Sequence, residues 1–463
     1  MNKISKSAIL FPVFHALGKK RKGGKHKLVV LIILIFYKGT FAQKKVTELD
    51  LETCINKAVT ENIDLKTATN NTLFYTYEYK KSWANVLPQV NANWNMNKIY
   101  GTVFDQVSFQ RITKATTTSF PSVNASIVLF DGLNGYAAQQ QAKAQLKTAE
   151  YTKLYQEQQL MLNVSDTYFQ CLKYSKTLEV YKSRIKALQT LNKATKIQVE
   201  KGDRQLMELY AVESQLETEK AAYLETQTLY TSGLNTLLTL MRTEIKDSVV
   251  LKESGLEFSS ATTISTEELV KSNLSILTKE MEFKTSQYTK KRTFSGFLPT
   301  VSLTGTLASS YSSNGIFDFS MGTVLYPTYS EQLNLNFYQV VGLNVSIPIF
   351  NRMSNYYNVR QQTIVTENKK LELEKEKLVV QNQLSTYLDN QKTIAQKQIA
   401  LEKASAAANE AYKAGEIQYN KGDGTFYDVL NSLNKKNQAE IDVWQNKVDA
   451  WMVQKRILSL IGK

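Results

Sequence analysis

Two acidic residues stand at matching places in a duplicated pattern and are the chain's first candidates for chemistry. Glu208 lies six residues beyond Gly202 in Lys201-Gly202-Asp203, and Asp428 lies six beyond Gly422 in Lys421-Gly422-Asp423. An acid in the first turn of a helix complements the positive end of the helix dipole, which is one complete account of both. The other account needs several copies of the chain around an axis. Carboxylates repeated at a constriction would select cations and hold a gate, and their mutual repulsion would depend on how far the constriction opens.

Catalysis has little to work with. Lys19-Lys20-Arg21-Lys22 with Lys25 and Lys27, the apolar run Leu28 to Tyr37, and Thr40-Phe41-Ala42 before Gln43 read as a cleavable secretory signal over residues 1–42. Cleavage removes both histidines, His15 and His26, and with them Ser-His, Cys-His and His-metal chemistry. It also removes nine Lys and Arg and no acid, taking the net charge from +15 to +6. No stretch joins clustered basic residues to interleaved aromatics as a nucleic-acid groove would. Cys54 and Cys171 form no CxxC pair and read as helix-packing thiols. Neither an enzyme nor a cofactor or metal site is expected.

The elements that must position Glu208 and Asp428 repeat too. Ser126 to Phe130 recurs as Ser346 to Phe350, and Lys201-Gly202-Asp203 as Lys421-Gly422-Asp423, both at an offset of 220. Leu87-Pro88-Gln89-Val90 recurs as Leu298-Pro299-Thr300-Val301 at an offset of 211, which Asn62 and Asn273 share. A long-period repeat fixes architecture before local detail does. The expected plan is a first repeat over 43–241, a connection over 242–265 and a second repeat over 266–463. The first holds a helix from Leu49 to about Leu87, strands at about 89–99 and 122–130, a long helix at 133–200, a hairpin tip and a helix at 204–241. The second holds a helix at 266–297, strands at about 300–311 and 333–347, a long helix at 353–420, a tip and a helix at 425–461. Asp203 and Thr425 are the expected N-caps after the tips.

The strands carry the environment. Val90, Ala92, Trp94 and Met96 alternate with Asn91, Asn93, Asn95 and Asn97; the return strand sets Val123, Ala125 and Ile127 against Asn124 and Ser126. The second repeat behaves alike, with one parity running from Leu333 to Ile347 in its last strand. One face is apolar, and the other is rich in Asn, Ser and Thr with almost no charge. A membrane barrel with lipid outside and a wet lumen explains both faces. Four strands cannot close a barrel, and open edges are not tolerated in lipid, so several copies must contribute. Each long helix spans about 68 residues, or ~100 Å at 1.5 Å per residue. Leu178, Tyr181, Ile185 and Leu188 form a coiled-coil seam. Such a helix must project and pair side by side. The helix at 204–241 and one such as 266–297, stacked end to end, match its length. Trp444 and Trp451 lie on one face, for the join of those helices or for a plain helix interface.

These residues resemble the TolC-like outer membrane efflux proteins over 43–463. The likeness is carried by Leu51 through Asn62-Ile63-Asp64-Leu65, Leu87-Pro88, Phe130-Asp131-Gly132, Leu298-Pro299, Ile347-Pro348-Ile349-Phe350, and Gly422 followed by Asp428-Val429-Leu430. The resemblance implies a mixed α and β membrane protein: a homotrimer whose 12-stranded outer membrane β-barrel continues as a 12-helix periplasmic α-barrel. It implies a passive exit duct of a tripartite efflux or type I secretion system, working with a periplasmic membrane-fusion adaptor and an inner-membrane transporter. It sets Glu208, Asp428 and Asn431 at the periplasmic gate, with Asn431 where many members carry a second acid. It makes Lys201, Gly202, Asp203, Lys421, Gly422 and Asp423 candidates for adaptor docking. The first repeat has Ala211 where the second has Asn431, so the halves differ at the tip. The competing expectation is a periplasmic coiled-coil adaptor or scaffold.

Overall fold

A computed structural model describes residues 47–243, 249–253, 266–421 and 423–462. The expected signal, Gly422, and residues 244–248 and 254–265 of the connection lie outside the described residues. The chain forms two compact units, 1–47 with 246–249 and 48–245 with 250–463. Of the first, only Thr47 and Val249 are described; the second holds every helix and every long strand among the described residues.

The first repeat runs α1 (Leu51–Glu61), α2 (Ile63–Ala84), β1 (Gln89–Ile99), β2 (Thr116–Phe130), α3 (Asn134–Glu200) and α4 (Leu206–Leu240). The second runs α5 (Thr266–Ser272), α6 (Leu274–Phe294), β3 (Thr300–Ala308), β4 (Tyr338–Ser346), α7 (Ser354–Lys421) and α8 (Phe426–Leu460). α3 and α7 contain no proline and one glycine each, Gly135 and Gly415, so nothing interrupts their hydrogen-bond ladders.

The expected single helix from Leu49 to Leu87 is broken. Asn62 adopts φ −60° and ψ 134°, ending α1 and capping α2: its Oδ1 accepts from the amides of Asp64 at 2.9 Å and Leu65 at 3.2 Å. Asn273 does the same between α5 and α6, accepting from Ser275 at 3.1 Å and Ile276 at 3.2 Å. Asparagine favours this place because its side chain replaces the amides' missing helical partners. The other end of each amide reaches a different helix. Asn62 Nδ2 donates to the Leu240 carbonyl at 3.3 Å, and Asn273 Nδ2 to the Leu460 carbonyl at 3.0 Å. So α4 stacks on α2, and α8 on α6, with C-terminal carbonyls facing N-terminal amides. The stacked pairs therefore form within each repeat, whereas the sequence suggested joining 204–241 to 266–297.

Side by side, the tip half is a row of α4, α3, α8 and α7, and the other half a row of α2, α3, α6 and α7. Leu178 and Leu188 of the predicted seam are buried, at 8% and 2% exposure. Trp451 stacks on Phe169 of α3 at 5.9 Å and meets Trp444 edge-on at 5.7 Å, which puts both tryptophans in the α3–α8 interface. Around the second junction, Leu269, Ile276, Leu373, Val380, Leu384, Val453, Ile457 and Ile461 form one buried cluster.

The four long strands form one antiparallel sheet in the order β1, β2, β3, β4. Directly opposed residues point to the same side, and the register brings every strand into phase. Val90, Ala125, Gly305 and Val341 make one cross-sheet row; Asn91, Asn124, Thr306 and Val340 make the next, on the opposite face. Thr306 Oγ1 meets Asn124 Oδ1 at 2.9 Å within that row. Every residue of β1 from Gln89 to Lys98 is exposed, with Trp94 at 67%.

The last strand starts later than its parity suggests. Thr328 caps a helix over Tyr329–Leu335, exchanging bonds with Glu331 in a capping box. Leu333 and Leu335 therefore lie in a helix, and β4 begins at Tyr338. β2 begins earlier than expected, at Thr116. The loops between strands are tied together beneath their aromatic tips: buried Asp105 accepts from Ser312 Oγ, from Asn314 Nδ2 at 3.2 Å and from the Val107 amide at 3.0 Å.

Candidate functional site at the hairpin tips

Each long helix ends in the same hydrogen-bond pattern. The Asp203 amide donates to the Gln198 carbonyl at 2.8 Å, and the Asp423 amide to the Gln418 carbonyl at 3.1 Å. Gly202, at φ +85°, takes the left-handed conformation that this helix stop requires, and nothing crowds its α-carbon. Lys201, Gly202, Asp203, Lys421 and Asp423 are all exposed on the two turns.

Beyond the turns the repeats part ways. α8 has a full capping box: Thr425 Oγ1 accepts from the Asp428 amide at 3.3 Å, and Asp428 Oδ2 accepts from the Thr425 amide at 3.3 Å. Asp428 itself stays exposed. α4 has none. Its N-cap is Gln205, without a side-chain bond; the expected Asp203 cap does not form, because Asp203 closes α3 and stands two residues short of the cap. Glu208 instead meets Arg204 at 3.4 Å, both side chains about a fifth exposed at 20% and 18%. Arg204 also lies 4.5 Å from the centre of the Tyr419 ring on α7, a cation–π contact linking the two hairpins. Tyr419 in turn packs with Val212 and Val429, flanked by Leu191, Ala211 and Leu430. Ala211 is thus part of the apolar filling, whereas Asn431 is exposed.

Sequence reasoning missed Arg204 and Tyr419. The signal was present: at the repeat offset of 220 their counterparts are Gly424 and Val199, so both mark a local loss of symmetry. It also missed a buried ion pair further up. Arg184 Nη1 donates to Glu219 Oε2 at 3.2 Å, with side chains only 9% and 8% exposed. Gln215 holds the other carboxylate oxygen at 2.9 Å, and Arg184 Nη2 donates to the Asn434 carbonyl at 3.3 Å. The group joins α3, α4 and α8.

Cys54 and Cys171 are free and fully buried, and burial pushes both thiols up to about 12, so neither is a nucleophile near neutral pH. Among the described residues no group of three or more His, Cys, Asp and Glu could hold a metal ion, and no helix is long and apolar enough to cross a membrane.

A duplicated chain pairing two long helical hairpins with a two-faced antiparallel sheet fits a class, that of outer membrane channel proteins. Its family model, described as outer membrane efflux protein, matches residues 54–241 and 266–462, and the chain belongs to that family. Solved structures share the fold. The channel CusC is 16% identical with a TM-score of 0.77, over 92% of this chain and 95% of that one. The CmeC outer membrane channel of Campylobacter jejuni is 16% identical with a TM-score of 0.78, over 89% and 85%. VceC of Vibrio cholerae is 12% identical with a TM-score of 0.74, over 89% and 96%. No curated protein matches the sequence.

Proposed function

We propose that three copies of the chain form an outer membrane exit duct. Each copy contributes its four strands to a closed barrel and its four helical columns to a hollow periplasmic cylinder. The carrying observation is the sheet: the outer edges of β1 and β4 pair with no further strand among the described residues, and Val90, Leu303, Leu307 and Val341 of its apolar face are exposed. An open edge in lipid leaves backbone groups without partners, and neighbouring copies supply them. The duct is passive. A periplasmic adaptor docks on the turns at Lys201–Asp203 and Lys421–Asp423, and an inner-membrane transporter supplies energy for efflux or type I secretion. Glu208, Asp428 and Asn431 line the constriction at the periplasmic end. Fractionation of a Gram-negative host tests the reading: recovery in the outer membrane, with discrete conductance in planar bilayers, is expected. Recovery in the soluble periplasmic fraction would sink it and favour a coiled-coil adaptor.

A further inference from the structure

Where strands give way to helices, one arrangement of side chains occurs three times. On α2, Lys80 lies over the Tyr77 ring at 5.4 Å, with Trp83 three residues on. On α6, Lys291 lies over the Tyr288 ring at 5.3 Å, with Phe294 three residues on. The two triplets match at the offset of 211, and each lysine stands nine residues before the first residue of its strand, Gln89 or Thr300. On α7, which leaves the sheet, the order is reversed: Tyr357 comes first, and Arg360, 5.3 Å from the Tyr356 ring, follows three residues later. Residues three apart share a helix face. Each helix therefore sets a cation and, one turn nearer the sheet, an aromatic ring on one stripe. Trp83, Phe294 and Tyr357 are 56%, 53% and 60% exposed, and the three cations are exposed too.

The charge around these stripes is of one sign. No Asp or Glu occurs in 79–104, 283–317 or 332–366. Glu78, two residues before Lys80, is held by Lys81 at 3.4 Å, and none of the three cations has an ion-pair partner among the described residues. An exposed ring beside apolar strands, with a cation one turn further, follows the order in which a bilayer ends: hydrocarbon, interface, phosphate. We propose that Lys80, Lys291 and Arg360 hold the phosphates of anionic phospholipids, in the leaflet on the helical side of the sheet. The proposal rests on the sheet being part of a membrane barrel. Tyr77, Tyr288 and Tyr356 steady the cations through their ring faces and leave N–H groups for phosphate oxygens. A lipid that balances its phosphate with its own ammonium gains less at such a belt, because no carboxylate of the protein stands by to take the ammonium.

The test is native mass spectrometry of the protein in detergent micelles doped equally with phosphatidylglycerol and phosphatidylcholine. The wild type should retain phosphatidylglycerol over phosphatidylcholine by about five-fold or more, the change in affinity that one cation makes at an anionic surface. Lys80→Gln with Lys291→Gln and Arg360→Gln should bring the ratio close to one. Glutamine is a comparable helix former, and circular dichroism checks that the fold is kept. Lys193→Gln with Lys196→Gln and Lys403→Gln, exposed lysines on the long helices toward the tips, should leave the ratio unchanged. A wild-type ratio near one, a belt variant that keeps the preference, or an equal loss in the tip variant overturns the proposal. So does displacement of the lipid by excess inorganic phosphate, which would make these sites for the free anion. A chain recovered soluble without detergent is a separate failure, that of the barrel, and overturns the belt with it.

Discussion

Glu208 and Asp428 occupy equivalent positions and are held in different ways. Asp428 closes a capping box, and Glu208 leans on Arg204. Replacing both with Ala should raise resting conductance in planar bilayers or shift its cation preference. Unchanged conductance and selectivity would leave only their helix-terminal role. Thr425→Ala separates the two roles, because it removes the hydroxyl at a cost of about 1 kcal/mol and keeps the charge of Asp428. Arg184 makes a sharper case. Arg184→Ala strands Glu219 in the interior, and breaking a buried pair from one side costs ~3–5 kcal/mol. Arg184→Met with Glu219→Leu should recover most of that in thermal unfolding followed by circular dichroism; an equal loss in single and double variants would argue against the pair.

At the scale of elements, two asparagines set where helices break and what they stack on. Asn62→Ala removes a cap and leaves the Leu240 carbonyl without its donor; the cap alone is worth ~1 kcal/mol. Amide hydrogen exchange at the C-terminal turn of α4 should rise, and Asn273→Ala should do the same at the end of α8. No change in either would mean that the stacking is set by the surrounding apolar cluster. The shared offset of Asn62 and Asn273 was visible in the sequence, but not the break they cause, because the apolar pattern continues across them. Leu333 and Leu335 failed differently. Alternation over so few residues fits a strand and a short helix alike, and the capping box of Thr328 and Glu331 decided between them.

For the whole molecule, the register of the sheet assigns each face. Val341 sits in the apolar row and Asn344 on the other face, opposite Ser302. Val341→Arg should cost ~2–4 kcal/mol if it meets the bilayer midplane and should lower the yield of assembled protein in the outer membrane. Asn344→Arg should assemble normally and alter only conductance. Equal tolerance of both would mean that neither face meets lipid.

The sequence by itself determined the duplication, the long helices, the two-faced strands and the family, because each is a periodic or repeated signal that local physics converts directly into structure. It also marked the acids and turns of the tips. Only the tertiary structure decided which helices stack, which hairpins touch, and what Glu208 leans on. Those depend on residues distant in the chain: Asn62 and Leu240, Arg184 and Asn434, Arg204 and Tyr419. Such pairs leave no period to read: Asn62 and Leu240 are copied as Asn273 and Leu460 without the copy naming them as partners, and Arg184, Arg204 and Tyr419 stand out only as places where one half fails to copy the other.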